Sequence, residues 1–210
     1  MCNQTFGGNE GYVSTVAVTP SDSLHRGKVI TGCQDGKIRI YNPESVNPCE
    51  TLSGHNDTGT LKKKKSHMQQ ENSTVTNIIF IVSTVCALAT TPEYFLSGSW
   101  DKTAKIWQYD GAPVLTLSGH TAAIWAVEIL SSSTGSDIIS LTGSADKTIK
   151  MWRGNTPFQI FKGHTDCVRA LAVCDANRFL SAANDATIRL WLVSGECLAT
   201  YYGHTNYIYG

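Results

Sequence analysis

The chain has no excess of charge: 17 basic side chains balance 17 acidic ones. It therefore lacks the general phosphate attraction that supplies most non-specific nucleic-acid affinity, and no arginine-rich stripe restores it. Nucleic acid is not an expected partner. The seven cysteines, Cys2, Cys33, Cys49, Cys86, Cys167, Cys174 and Cys197, are odd in number and form no CxxC pair. That argues against a disulfide framework and against a zinc site, and it favours a reducing cytoplasm or nucleus. No apolar signal core follows Met1, so the N-x-S/T matches at Asn3, Asn56 and Asn72 are read as chance. A membrane span needs roughly 20 apolar residues, and the best candidate, Asn77 to Ala89, is too short. No G-x-S-x-G elbow, H-E-x-x-H pair, P-loop or GxGxxG turn occurs, so neither enzyme chemistry nor a cofactor is expected.

What the chain does have is internal repetition. Gly-His pairs stand at Gly54-His55, Gly119-His120, Gly163-His164 and Gly203-His204, which puts them 65, 44 and 40 residues apart. The last two spacings fit the roughly 40 to 45 residues of a four-stranded propeller blade. A second signature travels with the first, an Asp followed six positions later by an aromatic: Asp101 with Trp107, Asp146 with Trp152, Asp185 with Trp191, and a weaker copy, Asp35 with Tyr41. Four residues before each Asp stands a hydroxyl, at Thr31, Ser97, Thr142 and Ser181. Stretches such as Thr148 to Trp152 and Thr187 to Trp191 alternate with period two between turn residues, the pattern of strands. One small sheet cannot bury its own faces, so neighbouring sheets must stack and share a core.

These coupled positions resemble the WD-repeat β-propeller family, and the resemblance implies an all-β fold of about four blades out of a probable seven. The repeats are then 1–53 (degenerate, with Gly8-Asn9 in place of GH), 54–118, 119–162 and 163–202, with 203–210 the opening strand of a fifth. Within the second repeat, residues 59–84 match nothing elsewhere. Excising these 26 residues leaves a Gly-His-Asn-Asp-Thr-Val-Cys-Ala-Leu-Ala segment that aligns with Gly163 to Ala172, so the block is read as an insertion, a retained intron or a real loop. Its lysine run, Lys62 to Lys65, is read as a solvated loop.

A hydroxyl, an imidazole and a carboxylate together suggest a hydrolase triad. Here the set recurs in every repeat, whereas an active site is needed once. In the family such sets are hydrogen-bonded frameworks, which assigns rigidity to His120, Thr142, Asp146 and Trp152 and to His164, Ser181, Asp185 and Trp191.

Longer phrases narrow the resemblance. LSGSWDKTAKIW (Leu96 to Trp107), GHTAAIWAVEIL (Gly119 to Leu130), LTGSADKTIKMW (Leu141 to Trp152), SAANDATIRLW (Ser181 to Trp191) and GECLATYYGHTNYIY (Gly195 to Tyr209) are similar to the phospholipase A-two activating protein family. That resemblance implies a ubiquitin-binding adaptor in protein degradation. In such proteins an AAA segregase is engaged through further domains that these repeats do not include, so the chain is expected to be a fragment. The alternative is a WD scaffold for some other protein. In family propellers the positions three and five after the His and the one before the Asp face one rim, the top. Here they include Trp100, Trp125, Arg169, Asn184, Tyr207 and Tyr209, the expected partner-binding residues.

Overall fold

In a computed structural model, residues 5–9, 11–21, 23–25, 27–45, 47–55, 83–111, 113–130 and 138–209 are described. They form sixteen strands and no helix. Alternation produces the strands: in TIKMWR, Ile149 and Met151 are buried towards the next sheet along the chain, Thr148 and Lys150 are partly exposed, and Trp152 is buried on the opposite face, towards the preceding sheet. Four meanders follow in chain order. Blade 1 is β1 (Val13–Val18), β2 (Val29–Cys33), β3 (Lys37–Tyr41) and β4 (Glu50–Ser53). Blade 2 is β5 (Val85–Thr90), β6 (Tyr94–Ser99), β7 (Thr103–Gln108) and β8 (Pro113–Ser118). Blade 3 is β9 (Ile124–Leu130), β10 (Ile139–Ser144), β11 (Thr148–Arg153) and β12 (Thr156–Lys162), and blade 4 is β13 (Val168–Asp175), β14 (Arg178–Ala183), β15 (Ile188–Leu192) and β16 (Cys197–Tyr201). Each is one antiparallel sheet whose strands pair in sequence order.

The inner strands β1, β5, β9 and β13 pack side by side around the hub. The apolar residues are buried between blades. Ile30, Ile38, Ile40, Val85, Phe95 and Trp107 lie between blades 1 and 2; Leu96, Ile106, Ile124, Val127 and Trp152 join blades 2 and 3; Leu141, Phe161, Val168, Phe179 and Trp191 join blades 3 and 4. Two glycines show how close the stacking is. A Cβ on Gly98 would lie 2.9 Å from Ile124 and Val127, and one on Gly143 would lie 2.7 Å from Val168. In blade 4, which has no following blade among the described residues, the equivalent position is Ala182.

The four sheets do not close into a ring. On the uncovered side of blade 1, Val13, Val16 and Val18 are 44%, 63% and 56% exposed. Two expectations change here. Residues 203–209 form no strand; the chain there runs past the end of blade 4, with Ile208 N–H donating to the Ala183 carbonyl at 3.4 Å. An inner strand is held by the second strand of its own blade, and the described residues include no such strand after this segment. The 59–84 block lies outside the described residues except for Ser83 and Thr84, and these two belong to blade 2. The Thr84 carbonyl accepts from Trp100 N–H (3.1 Å), as the Ala123 carbonyl does from Ala145 N–H (2.9 Å) in blade 3. The short apolar run weighed as a membrane span, where it is described, ends inside strand β5.

Candidate protein-binding rim

The Gly-His pairs at His55, His120 and His164 sit in the crossing from an outer strand to the next blade's inner strand, which brings each imidazole under the turn between that blade's second and third strands. In blade 3, Trp152 Nε1 donates to Thr142 Oγ1 (2.8 Å), Thr142 Oγ1 lies 2.7 Å from His120 Nε2, and His120 Nδ1 lies 2.7 Å from Asp146 Oδ2. Blade 2 repeats this with Trp107, Ser97, His55 and Asp101, at 2.7, 2.7 and 2.8 Å. Blade 4 does so with Trp191, Ser181, His164 and Asp185, at 2.8, 2.7 and 2.9 Å. One direction of donation satisfies every atom: indole N–H to hydroxyl, hydroxyl to Nε2, and Nδ1–H to carboxylate. The imidazole is then neutral.

The acidities agree with that reading. Burial pulls the His164 imidazole below its ordinary value in spite of Asp185. Burial pushes the carboxylates up, but hydrogen bonds outweigh it: His120 and Thr148 hold Asp146 well below the usual carboxylate range, and Thr187, Thr165 N–H and His164 hold Asp185 at about 2. The hydroxyls of Ser97, Thr142 and Ser181 are buried and already committed to indole and imidazole. A nucleophile needs access to its substrate, and these have none. The tetrads pin the turns, which fixes the top rim above them.

Blade 1 lacks the imidazole. Asn9 Oδ1 takes its place and accepts from Tyr41 Oη (3.1 Å) and Cys33 Sγ (3.1 Å), while Asp35 pairs with Arg39 at 2.6 Å. Arg39 stands at the basic position four residues after the turn Asp that recurs as Lys105, Lys150 and Arg189; among the described residues only in blade 1 does that cation pair with the Asp.

A β-bulge in every inner strand shapes the rim. The ladder skips one residue in each, Ser14, Cys86, Trp125 and Arg169. These are the positions five after the His or its equivalent. A bulge leaves one residue unpaired and re-aims its side chain, and all four reach across to a neighbouring blade. Ser14 Oγ donates to the Val85 carbonyl, and Cys86 Sγ donates to the Ile124 carbonyl at 2.8 Å. Burial pushes the Cys86 thiol up to about 12, so it remains a donor. Trp125 and Arg169 are too large for that link and stack instead, with the guanidinium carbon 4.0 Å from the Trp125 ring centre.

This stack is the middle of a continuous surface. Trp100 meets Trp125 edge-on at 5.6 Å, Arg169 lies 5.6 Å from the Tyr209 ring centre, and Tyr209 meets Tyr207 edge-on at 6.3 Å. Asn184 Oδ1 accepts from Arg169 Nε at 3.0 Å. All six rim positions expected from the sequence thus touch in one row over blades 2, 3 and 4. Trp100, Tyr207 and Tyr209 are 43%, 52% and 70% exposed, and Trp125 is half-buried between Trp100 and Arg169.

The family model described as "WD domain, G-beta repeat" matches residues 1–42, 68–108, 111–153 and 155–191, more than three quarters of the chain. The chain belongs to the WD-repeat family. Among curated relatives, the Ubiquitin fusion degradation protein 3 homolog of Caenorhabditis elegans is 32% identical over 181 residues, covering 81% of this chain and 18% of its own length. Protein DOA1 of Saccharomyces cerevisiae is 42% identical over 60% of the chain and 17% of its own, and the Phospholipase A-2-activating protein of Xenopus laevis is 41% identical over 60% and 13%. The chain therefore spans less than a fifth of the length of these relatives. The crystal structure of the Doa1 WD40 propeller superposes with a TM-score of 0.75 at 32% identity, over 96% of this chain and 58% of that one. Four WD blades of a larger propeller account for that coverage.

Proposed function

We propose that these blades bind ubiquitin or ubiquitinated proteins as an adaptor in ubiquitin-dependent protein degradation, acting in the cytoplasm and nucleus and without enzyme activity. The observation that carries this reading is the likeness, over 81% of the chain, to a relative named for ubiquitin fusion degradation. The rim supplies a suitable surface. Trp, Tyr and Arg are the residues that most often dominate protein interfaces; here Trp100, Trp125 and Arg169 are held on tetrad-locked blades, and Tyr207 and Tyr209 continue the row from the segment after blade 4. An apolar patch on ubiquitin is a fitting complement to exposed aromatics. Any contact with an AAA segregase is assigned to further domains and to no residue of these blades.

Trp100→Ala is the decisive variant. Its ring is 43% exposed and its removal leaves the tetrad of Asp101 untouched. Truncating a hot-spot aromatic costs about 2 kcal/mol or more, a loss of roughly thirtyfold in affinity. We expect that loss in a ubiquitin titration, with a melting temperature within about 4 °C of the parent. Unchanged ubiquitin affinity for folded Trp100→Ala and Tyr207→Ala proteins would remove the rim from the reading.

A further inference from the structure

Arg169 is the arginine of the rim, and like Arg153 and Arg189 it has ring contacts in place of an ion pair. Arg39 is paired with Asp35 and Arg178 with Asp175, whereas Arg169 takes part in no ion pair among the described residues. Its one hydrogen bond there is from Nε to Asn184 Oδ1. Its guanidinium carbon lies over two aromatic rings, 4.0 Å from the Trp125 centre and 5.6 Å from the Tyr209 centre, and together with the Nε bond these contacts hold the group in place. Neither terminal nitrogen is sealed away without a partner. The nearby carboxylates are engaged elsewhere: Asp146 and Asp185 by their histidines, and Asp166 Oδ1 by Cys167 N–H at 2.7 Å.

We infer that Arg169 is a preformed receptor for one carboxylate of a bound protein, an Asp or Glu side chain flanked by apolar residues. A guanidinium edge offers two parallel N–H donors matched to the two oxygens of a carboxylate. Asn184 holds Nε and leaves the terminal nitrogens for that fork. The two neighbouring rings limit water around the pair and accept apolar neighbours of the acidic residue. A single guanidinium between ring faces matches one negative charge; a phosphate would turn its additional oxygens towards aromatic carbon. Because the side chain is already ordered, binding forgoes most of the entropy that a free arginine loses on capture. The inference rests on the rim being the binding surface and adds the chemistry that selects the partner there.

The test uses the full chain and two short peptides, acetylated and amidated at their ends, with the central sequence Leu-Asp-Leu or Leu-Asn-Leu, followed in nuclear magnetic resonance spectra by the Nε–H signal of Arg169 and the indole N–H signals of Trp100 and Trp125. Saturable shifts with the Asp peptide, and affinity lower by about tenfold or more for the Asn peptide, are expected. R169Q should abolish the difference between the peptides. R169K, which keeps the charge but loses the fork and the stacking, should reduce it. R153Q, at the cation over Phe158 on another edge, should leave it intact. Circular dichroism melting establishes that each variant is folded. Equal response to the two peptides, or an undiminished preference in folded R169Q, overturns the inference. So does a preference for the Asn peptide bearing a free terminal carboxylate over the amidated Asp peptide, since the source would then be a chain end. Ubiquitin titrated in parallel separates the two readings. Shifts of Trp100 and Trp125 with ubiquitin but none with the Asp peptide sink the carboxylate receptor alone, whereas the Asp peptide binding where ubiquitin does not supports the receptor and removes ubiquitin as its partner.

Discussion

In blade 3 the turn carboxylate of Asp146 is held by a buried imidazole, whereas in blade 1 the corresponding Asp35 is held by the Arg39 guanidinium at 2.6 Å. The aromatic differs in step: Trp152 donates from an indole to Thr142, and Tyr41 donates from a phenol to Asn9. Both arrangements leave the same meander with the same hairpin after the Asp, where blade 3 places Lys147 at φ 72° and blade 1 places Gly36 at φ 72°. The requirement on a blade is therefore that a carboxylate and a buried aromatic each find a partner. The identity of that partner is free to change, and with it changes how the blade responds to pH.

The comparison breaks most sharply at the aromatic. Trp152 is fully buried between blades 2 and 3, so Trp152→Ala removes a large core side chain and leaves Thr142 without its donor; we expect a loss of about 3–5 kcal/mol in urea unfolding. Tyr41→Phe, which keeps the ring and deletes only hydrogen bonds to Asn9 and the Gly7 carbonyl, should cost about 1 kcal/mol. Comparable losses from the two would contradict the claim that packing, and not the hydrogen-bonded tip, dominates at this position.

The carboxylate comes next. Asp146→Ala strands His120 Nδ1 and the Thr121 and Thr148 N–H groups, at an expected cost of about 1–3 kcal/mol, or about 2–4 °C in melting temperature for each kcal/mol. Binding per folded molecule should not change, because no part of this set reaches the rim. A folded Asp146→Ala protein that binds nothing would show that the tetrad does more than hold the turn.

Acid should separate the two chemistries. The folded chain keeps His164 neutral below its ordinary value of 6.5, so between that value and its lowered one the unfolded chain binds more protons, and stability falls as pH falls. The contribution of Asp185 has the same direction further down: it is full above the ordinary carboxylate range and is lost as pH falls towards about 2. Arg39 has its pKa raised by its hydrogen bond to Asp35 and does not titrate anywhere in this window. We expect hydrogen-exchange protection, corrected for the intrinsic exchange rate at each pH, to fall between pH 7 and pH 5 in β13–β15 before β2 and β3. A simultaneous fall, or blade 1 losing protection first, would contradict the assignment of a neutral His164.

The smallest effect concerns a position where blade 3 departs from its neighbours. Ser140 stands where blades 2 and 4 have Phe95 and Phe179, and its hydroxyl is buried without a partner. Ser140→Ala removes that orphan and should be neutral or stabilising by up to about 1 kcal/mol. Destabilisation would mean that the hydroxyl has a partner after all.

Much of this was legible in the residues. Coupled Gly-His, hydroxyl, Asp and Trp positions at a blade's period specify which side chains meet, because a repeat confined to one geometry leaves few other pairings. The substitution in blade 1 was harder to see: Asn9 and Arg39 stand at recurring positions, the Gly-His site and the basic site four after the Asp, but spacing does not tell that here they take over the bonds of the imidazole. The block within the second repeat hid its own edge. Thr58 and Thr84 are the same residue at its two ends, so excising 59–84 or 58–83 leaves an identical sequence; only backbone hydrogen bonding shows that Thr84 is the one built into blade 2. The rim was legible as a set of positions but not as a row in contact. Trp125 and Arg169 lie 44 residues apart, and their meeting depends on the bulges that turn both towards one side.

The skipped residue in each inner strand gives this architecture a kind of modularity. Because Ser14, Cys86, Trp125 and Arg169 pair with nothing in their own ladders, each can be exchanged without breaking a rung. One hub can thus carry a hydroxyl, a thiol, an indole and a guanidinium at four equivalent stations, two spent on fastening neighbouring blades and two left to face outward. A propeller of this kind acquires a new vocabulary of partners one station at a time, while its strands remain in register.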